Sequence, residues 1–305
     1  MDANVHIICG PTASGKSSRG LALAREKNGV IINADSLQIY KELPTLTAQP
    51  SDQDKAEIPH RLYGILDSNF QCTAGAWREM ALQEINAALK TGMTPILVGG
   101  TGFYIKALIE GLSPIPEIPE AVRVIAEDLM DHLGAEAFHA ALSEKDPVMG
   151  SRLHPNDRQR NMRAWEVLAH TGKSLADWQA LPKMEPDSSL IFDIEIILPE
   201  REILYRNCDR RFELMIEEGA LKEVEKLDED IMAGCVDLDA PVTNALGFKE
   251  LQQHLNGEMD LPTAILLGQN STRHYAKRQM TWFRNQIKND GPQQKNIARV
   301  EIIGS

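Results

Sequence analysis

No apolar run in this chain of 305 residues approaches the length needed to cross a bilayer, which excludes a membrane-spanning helix. Cysteine is scarce. Cys9, Cys72, Cys208 and Cys235 stand far apart and form no C-x-x-C pair, so neither a zinc site nor a disulfide framework is expected, and reduced thiols are. A secretory signal is not expected either. The first apolar run is short, Asp2 precedes it, and the fold needs it as a strand, so the cytoplasm is the expected compartment. No internal repeat or low-complexity tract is present. Positive charge is in deficit, with 32 Lys and Arg against 44 Asp and Glu, a formal net charge of −12. Taken alone, that balance argues against a nucleic-acid partner, because phosphate contacts dominate such affinity. The local field decides where a polyanion docks, however. Two segments run against the balance. Leu261 to Asn289 has no acidic residue but carries Arg273, Lys277, Arg278, Arg284 and Lys288, and Arg152 to Arg163 sets Arg152, Arg158, Arg160 and Arg163 against Asp157. Solvated helix faces are the plain alternative for both.

The chain begins with an apolar run, Val5 to Cys9, followed by Gly10, Pro11, Thr12, Ala13, Ser14, Gly15, Lys16 and Ser17. The spacing is G-x-x-x-x-G-K-S, and a helical pattern follows. A strand, a glycine loop and a helix in that order make a phosphate-binding loop. Its backbone N–H groups turn toward anionic oxygens, the helix N-terminus adds its positive end, Lys16 supplies a cation, and the Ser17 hydroxyl suits Mg²⁺. A polyphosphate or pyrophosphate ligand is expected.

Helix one is expected from about Lys16 to Lys27, closed by Gly29 in the C′ position. Val30 to Ala34 reads as a buried strand ending at Asp35, and residues 40–72 read as loop-rich. A helix over about 73–89 leads to a strand at Pro95 to Val98, which runs into Gly99-Gly100-Thr101-Gly102, with a short helix from Phe103. Alternating β and α with apolar strands predicts an α/β fold, a phosphate-loop type of parallel sheet covered by helices on both faces. The prolines at 114, 116 and 119 break the pattern, and helical periodicity holds until a second breaker at 182–189. Residues 113–189 therefore read as a helical insertion domain moving on proline-stiffened hinges, inside a core formed by 1–112 and 190–305. Ile191 to Leu198 returns to strand, helices fill most of 200–290, and 298–303 suits an edge strand.

Ligands of such sheets bind beyond the carboxyl ends of the strands. The loop 10–17, Asp35 and Thr101 all fall on that edge. Asp35 suits a general base, a carboxylate near Mg²⁺, or a helix N-cap, with equal claim. Thr101 reads most simply as the N-cap of the next helix. A kinase-like strand of four apolar residues ending in Asp is missing, since the third strand ends in Gly-Gly-Thr. That weakens phosphoryl transfer and favours a ligand whose pyrophosphate is displaced.

Nine stretches are similar to those of the bacterial tRNA dimethylallyltransferase family: GPTASGKS at 10–17, NADSLQIY at 33–40, TAQP at 47–50, PHRL at 59–62, LVGGTGFY at 97–104, HPND at 154–157, QRNMR at 159–163, ALGFKE at 245–250 and AKRQMTW at 276–282. They keep the family's order and span nearly the whole chain. The resemblance implies transfer of a dimethylallyl group from dimethylallyl diphosphate to N6 of adenosine 37, beside the anticodon. By the same resemblance, Gly10 to Ser17 would hold the diphosphate with Ser17 on Mg²⁺. Asp35 would be the general base, with Ser36, Leu37 and Gln38 beside the target base and Thr101 on the adenine or the diphosphate. Arg123 and Gln159, Arg160, Asn161, Met162 and Arg163 would touch the anticodon stem-loop, and Arg211 would help grip the diphosphate. A monomer without a membrane partner is implied. The helical insertion would clamp the anticodon arm, which gives the basic segments a purpose. Leu46 stands where a Gly is usual, Gln49 where a Lys is usual, and Asn207 where an Arg is common. Three other readings make different predictions: prenylation of a free adenine nucleotide needs no tRNA footprint, a phosphate-loop NTPase turns over ATP, and a pure RNA-binding module leaves Lys16 and Asp35 without a purpose.

Overall fold

The computed structural model describes residues 3–183, 189–287 and 296–304. The chain forms two compact units, one of Met1–Ile109 with Asp187–Ser305 and the other of Glu110–Pro186. In chain order the first unit opens with β1 (Ala3–Cys9), α1 (Lys16–Lys27) and β2 (Gly29–Asn33). It continues with α2 (Asp52–Glu57), β3 (His60–Arg61), α3 (Ala74–Lys90), β4 (Thr94–Gly99) and α4 (Gly102–Glu110). Helix α1 ends through Asn28, which takes the left-handed conformation at φ 50° and returns its N–H to the Ala24 carbonyl. The expected cap, Gly29, instead opens β2, where a side chain would stand 2.5 Å from Ile96 Cδ1. Asn tolerates the left-handed region through its short polar side chain, so the glycine is free for the tighter position.

The second unit contains α5 (Glu120–Lys145), α6 (Pro147–Arg152), α7 (Arg158–Thr171) and α8 (Leu175–Ala180). Residues 111–119 are irregular, and α5 is interrupted at Gly134, whose φ is 75°. This unit has its own small core, which includes Ile118, Leu142, Met149, Ala164 and Val167. The buried Asp146 carboxylate holds it together, accepting the Met149 N–H and the Ser174 hydroxyl.

The chain then returns to the sheet with β5 (Leu190–Ile197), followed by α9 (Arg201–Glu217), α10 (Ala220–Met232), α11 (Phe248–Leu255), α12 (Leu261–Gln286) and β6 (Ile297–Ile303). Residues 184–188 of the second breaker, and Lys288 of the basic run, lie outside the described residues. Among the described residues six strands form one parallel sheet, in the order β3-β2-β4-β1-β5-β6. The central strand β1 lies between β4 and β5. Its apolar side chains and those of β4 are buried on both faces, as a parallel sheet under helices requires. One face packs the main core around Trp77, Phe192, Phe212 and Phe283, and the other packs Leu23, Ile31, Ile96 and Val98 under α1. The order β2-β4-β1 makes the carboxyl ends of β1 and β4 the place where the connections part to opposite sides, and that is where a ligand crevice opens.

Candidate active site

The phosphate-binding loop rises from β1 at Gly10, where any Cβ would collide with the Ile197 carbonyl at the end of β5. Ala13 accepts the left-handed region at φ 59°, and Gly15 starts α1 at φ 90°. Lys16 is buried, 8% exposed, and its Nζ donates to the Pro11 carbonyl at 3.1 Å. Burial pulls its pKa down to about 8, with the Asp35 carboxylate opposing that shift and the Arg211 guanidinium adding to it. Among the described residues, the buried Ser14 hydroxyl of this loop has no hydrogen-bond partner. Ser17 is exposed in the first turn of α1.

Asp35 follows β2 in a turn rather than a helix, which rules out the N-cap reading. One carboxylate oxygen, Oδ1, accepts the Leu37 N–H at 3.1 Å. The preceding residue but one, Asn33, frames it. Its side chain accepts the Asp35 N–H at 2.8 Å and donates to the Asp35 and Leu62 carbonyls, both at 2.9 Å. The Asn33 carbonyl in turn accepts the Trp77 indole N–H, and Trp77 stacks on Tyr104 at 4.7 Å. Thr101 does not spend its hydroxyl on α4, as a cap would. Its Oγ1 accepts the Ser36 N–H at 2.9 Å and lies 3.2 Å from Ser36 Oγ. Arg211, from α9, donates from Nη1 to Thr12 Oγ1 at 3.2 Å, and burial lowers its pKa. Gln38 commits its side-chain N–H groups to the Thr47 and Ala48 carbonyls, so the amide oxygen is what it leaves to the cavity.

Two cavities meet at Lys16, Gln38 and Arg211. The larger, about 390 Å³, is lined by apolar groups of Leu21, Ile31, Ala48, Pro50, Tyr63, Val98 and Leu214, with Gln49, Asp54, His60, Asn207 and Arg210 among its polar residues. The smaller, about 60 Å³, is lined by Thr12, Asp35, Leu37, Leu46, Cys208, Phe212 and Tyr275 among others. The phosphate loop therefore has an apolar chamber on one side and the Asp35 carboxylate on the other. Burial raises the pKa of the Cys208 thiol to about 11 and raises those of the Tyr63 and Tyr275 phenols, so these walls stay neutral near pH 7.

The three departures from the family pattern are accommodated locally. The Leu46 N–H and the Thr45 N–H bond to the Glu223 carboxylate of α10 at 2.8–3.0 Å, Gln49 donates to the Tyr40 carbonyl, and Asn207 donates to the Ala13 carbonyl. Three residues of this site carry positions that the sequence did not reveal as functional: Asn33, Glu223 and Gln279. Asn33 ends an apolar strand and, like Gln279, lies in a stretch that carries the family resemblance, whereas Glu223 lies in none.

The expected tRNA-contacting residues of the second unit divide. Gln159 and Arg160 are exposed, while Arg123, Met162 and Arg163 are half-buried. Asn161 is fully buried, its amide donating to the His154 and Asp157 carbonyls at 2.9 Å while Oδ1 meets His139 Nδ1 at 2.8 Å. Its side chain is therefore an internal strut and not an outward contact. Arg158 pairs with Asp131, and Arg163 with Glu166. In the other basic run Arg273 pairs with Asp209, leaving Lys277, Arg278 and Arg284 exposed.

Among the described residues no group of three or more His, Cys, Asp or Glu side chains forms a metal cage. Mg²⁺ takes few protein ligands when phosphate oxygens complete its octahedron. The exposed Ser17 hydroxyl beside a phosphate cradle fits that pattern.

A parallel sheet flanked by helices, with a phosphate-loop sequence at the end of its central strand and a carboxylate in the cavity beside it, places the chain in the class of phosphate-loop α/β proteins. The IPP transferase family model matches residues 38–286. A tRNA dimethylallyltransferase from Paramagnetospirillum magneticum is 50% identical over 92% of this chain and 88% of its own length. A full-length tRNA isopentenylpyrophosphate transferase structure from Bacillus halodurans is 30% identical, with a TM-score of 0.66 over 100% of this chain and 90% of that one. A eukaryotic dimethylallyltransferase described as acting on tRNA is 27% identical, with a TM-score of 0.80 over 99% of this chain and 74% of that one. The chain belongs to the IPP transferase family. The family model's span begins after Asp35, whereas the Bacillus halodurans structure aligns over the whole chain, phosphate loop and carboxylate included.

Proposed function

We propose that this enzyme transfers a dimethylallyl group from dimethylallyl diphosphate to N6 of adenosine 37 in tRNA and releases pyrophosphate. The observation that carries this reading is the placement of Asp35 in a cavity shared with Thr12, Lys16 and Arg211. Base and leaving-group grip then face one reacting centre. An exocyclic adenine amine is a poor nucleophile, since its lone pair is delocalised into the ring. Asp35, with Oδ1 held by Leu37 N–H, offers its other oxygen to take the N6 proton as the N6–C1 bond forms. The C1–O bond breaks, and its electron pair leaves on the diphosphate. Charge then concentrates where the loop N–H groups, Lys16 and Arg211 stand. Ser17 would hold a Mg²⁺ ion beside the diphosphate, and when bound it would neutralise part of that charge. The apolar chamber suits the five-carbon tail, whose full burial contributes on the order of 4 kcal/mol. Ser36, Leu37, Gln38 and Thr101 border the place where an unstacked adenine enters, at a cost of a few kcal/mol. The helical unit Glu110–Pro186 supplies anticodon-arm contacts through Arg123, Gln159 and Arg160. The protein works as a monomer in the cytoplasm.

The test is one assay. Protein, Mg²⁺ and radiolabelled dimethylallyl diphosphate are incubated with unmodified tRNA or with AMP, for wild type and Asp35→Ala. Label enters tRNA and is lost with Asp35→Ala. Label in AMP alone would move the enzyme to free nucleotides, and ATP turnover without transfer would overturn the reading.

A further inference from the structure

Strands β1 and β4 pair in register as far as Cys9 and Gly99, and beyond that point they diverge. The Thr12 N–H, on the side that grips phosphate, and the Gly100 carbonyl, on the side that leads to Thr101, have no backbone partner in each other. A side chain from α12 fills the gap. Gln279, 6% exposed, accepts the Thr12 N–H on Oε1 at 2.8 Å and donates from Nε2 to the Gly100 carbonyl at 2.9 Å. Its orientation is dictated by chemistry, because Thr12 offers only a donor and Gly100 only an acceptor. A side-chain amide has the donor and acceptor of a peptide group, so Gln279 acts as a rung inserted between two strands that have come apart. The fit is close. A Cβ on Gly100 would stand 2.5 Å from Gln279 Nε2.

On one side of this rung, Thr12 carries Arg211 on its hydroxyl. On the other, Gly100 is followed by Thr101, which holds Ser36 next to Asp35. We infer that Gln279 is a positioning residue that sets the separation between the diphosphate grip and the base. The inference rests on the prenyl-transfer reading for its kinetic consequence. Both halves of the site survive without the rung, but the distance between them is no longer held. A misplacement of about 1 Å costs on the order of a hundredfold in such a reaction.

Gln279→Leu removes both hydrogen bonds, and Gln279→Glu keeps the acceptor for Thr12 while setting a carboxylate oxygen against the Gly100 carbonyl. Gln269→Leu serves as the control. Gln269 is an equally buried amide on the same helix, but it donates to Asp209 and Glu213 of α9. Transfer kinetics with dimethylallyl diphosphate and tRNA, thermal melting, and calorimetric binding of magnesium pyrophosphate are measured for all four proteins. The expected result is a kcat about tenfold to a hundredfold lower in both Gln279 variants, with KM for tRNA within about twofold of wild type. Gln269→Leu melts lower yet keeps its kcat. A wild-type kcat in Gln279→Leu overturns the inference, and so does a loss shared equally by Gln269→Leu, since that would mark mere packing. Should Gln279→Leu fail to fold, Gln279→Glu decides on the same criteria. If wild type transfers nothing to tRNA, the prenyl-transfer reading fails by itself. Pyrophosphate binding then decides on Gln279: about fivefold weaker binding in its variants, and not in Gln269→Leu, supports the rung, and equal binding removes it.

Discussion

Asp35 separates chemistry from folding, because its carboxylate makes one local bond, to the Leu37 N–H, and is only half-buried. Asp35→Asn keeps an acceptor for that N–H and removes the base. Transfer to tRNA is expected to slow by about 10²–10⁴-fold with the melting temperature unchanged, as labelled-substrate assays and calorimetry will show. Lys16 behaves in the opposite way, trading stability for ligand grip. Its pKa falls from its ordinary 10.5 to about 8 in the folded protein, so between those values the unfolded chain holds the extra proton and stability rises with pH. Below pH 8 both states are protonated and the burial penalty is fully present, on the order of 3 kcal/mol. Lys16→Met is therefore expected to be more stable than wild type at pH 7, with the difference shrinking above pH 8, while pyrophosphate affinity collapses. Denaturant melts at pH 7 and 9.5 read the first effect and calorimetry the second. Neighbours in the helical unit divide in the same manner. Arg160→Ala is expected to weaken tRNA binding and lower its salt slope by about one. Asn161→Ala strands the His154 and Asp157 carbonyls and costs about 1–3 kcal/mol of stability instead. Filter binding across salt and thermal melting tell them apart. The phosphate loop and Asp35 were legible in the sequence because their signals are local: a spacing of glycines, and an acid at the end of an apolar run. The role of Gln279 was not, although its stretch carries the family resemblance, since its partners lie 267 and 179 residues away.

Elements were legible where one residue announces a boundary, and less so where a loop is shaped from a distance. Thr73 was expected near the start of α3 and caps it by accepting the Ala76 N–H. The left-handed close of α1 was placed one residue late, at Gly29 rather than Asn28, because the sequence does not show that β2 packs too tightly against Ile96 to admit a side chain at its first position. The loop at 44–50 reads as loose in the sequence, yet Glu223 from α10 anchors it through the Thr45 and Leu46 N–H groups, while Gln38 secures the Thr47 and Ala48 carbonyls. This segment walls the apolar chamber. Hydrogen bonds to a charged acceptor contribute about 1.5–3 kcal/mol. Glu223→Ala is therefore expected to raise KM for dimethylallyl diphosphate several-fold while KM for tRNA holds, and to speed amide exchange at Thr45 and Leu46. Steady-state kinetics and hydrogen exchange check the two effects.

For the molecule as a whole, the alternation of strands and helices and the proline breakers conveyed the fold class and the existence of a helical unit, whereas the sheet order depends on long-range pairing that no local pattern encodes. The proposed anticodon contacts of Glu110–Pro186 predict that tRNA shields the irregular stretch 111–119 from limited proteolysis. Unchanged cleavage there would remove those contacts. The sheet order carries a consequence of another kind. β1 precedes both of its neighbours in the chain, and one of them, β5, is made only after the whole helical unit. At typical elongation rates of about 5–20 residues per second, the apolar edge of β1 waits roughly 10–40 s for its partner. Until then a half-built sheet presents open backbone groups to any passing strand. The intervening helices, by contrast, close on contacts within their own short stretch. A nascent chain arrested before residue 190 is thus a hazard to its neighbours, and chaperone demand during synthesis is expected to fall as β5 emerges.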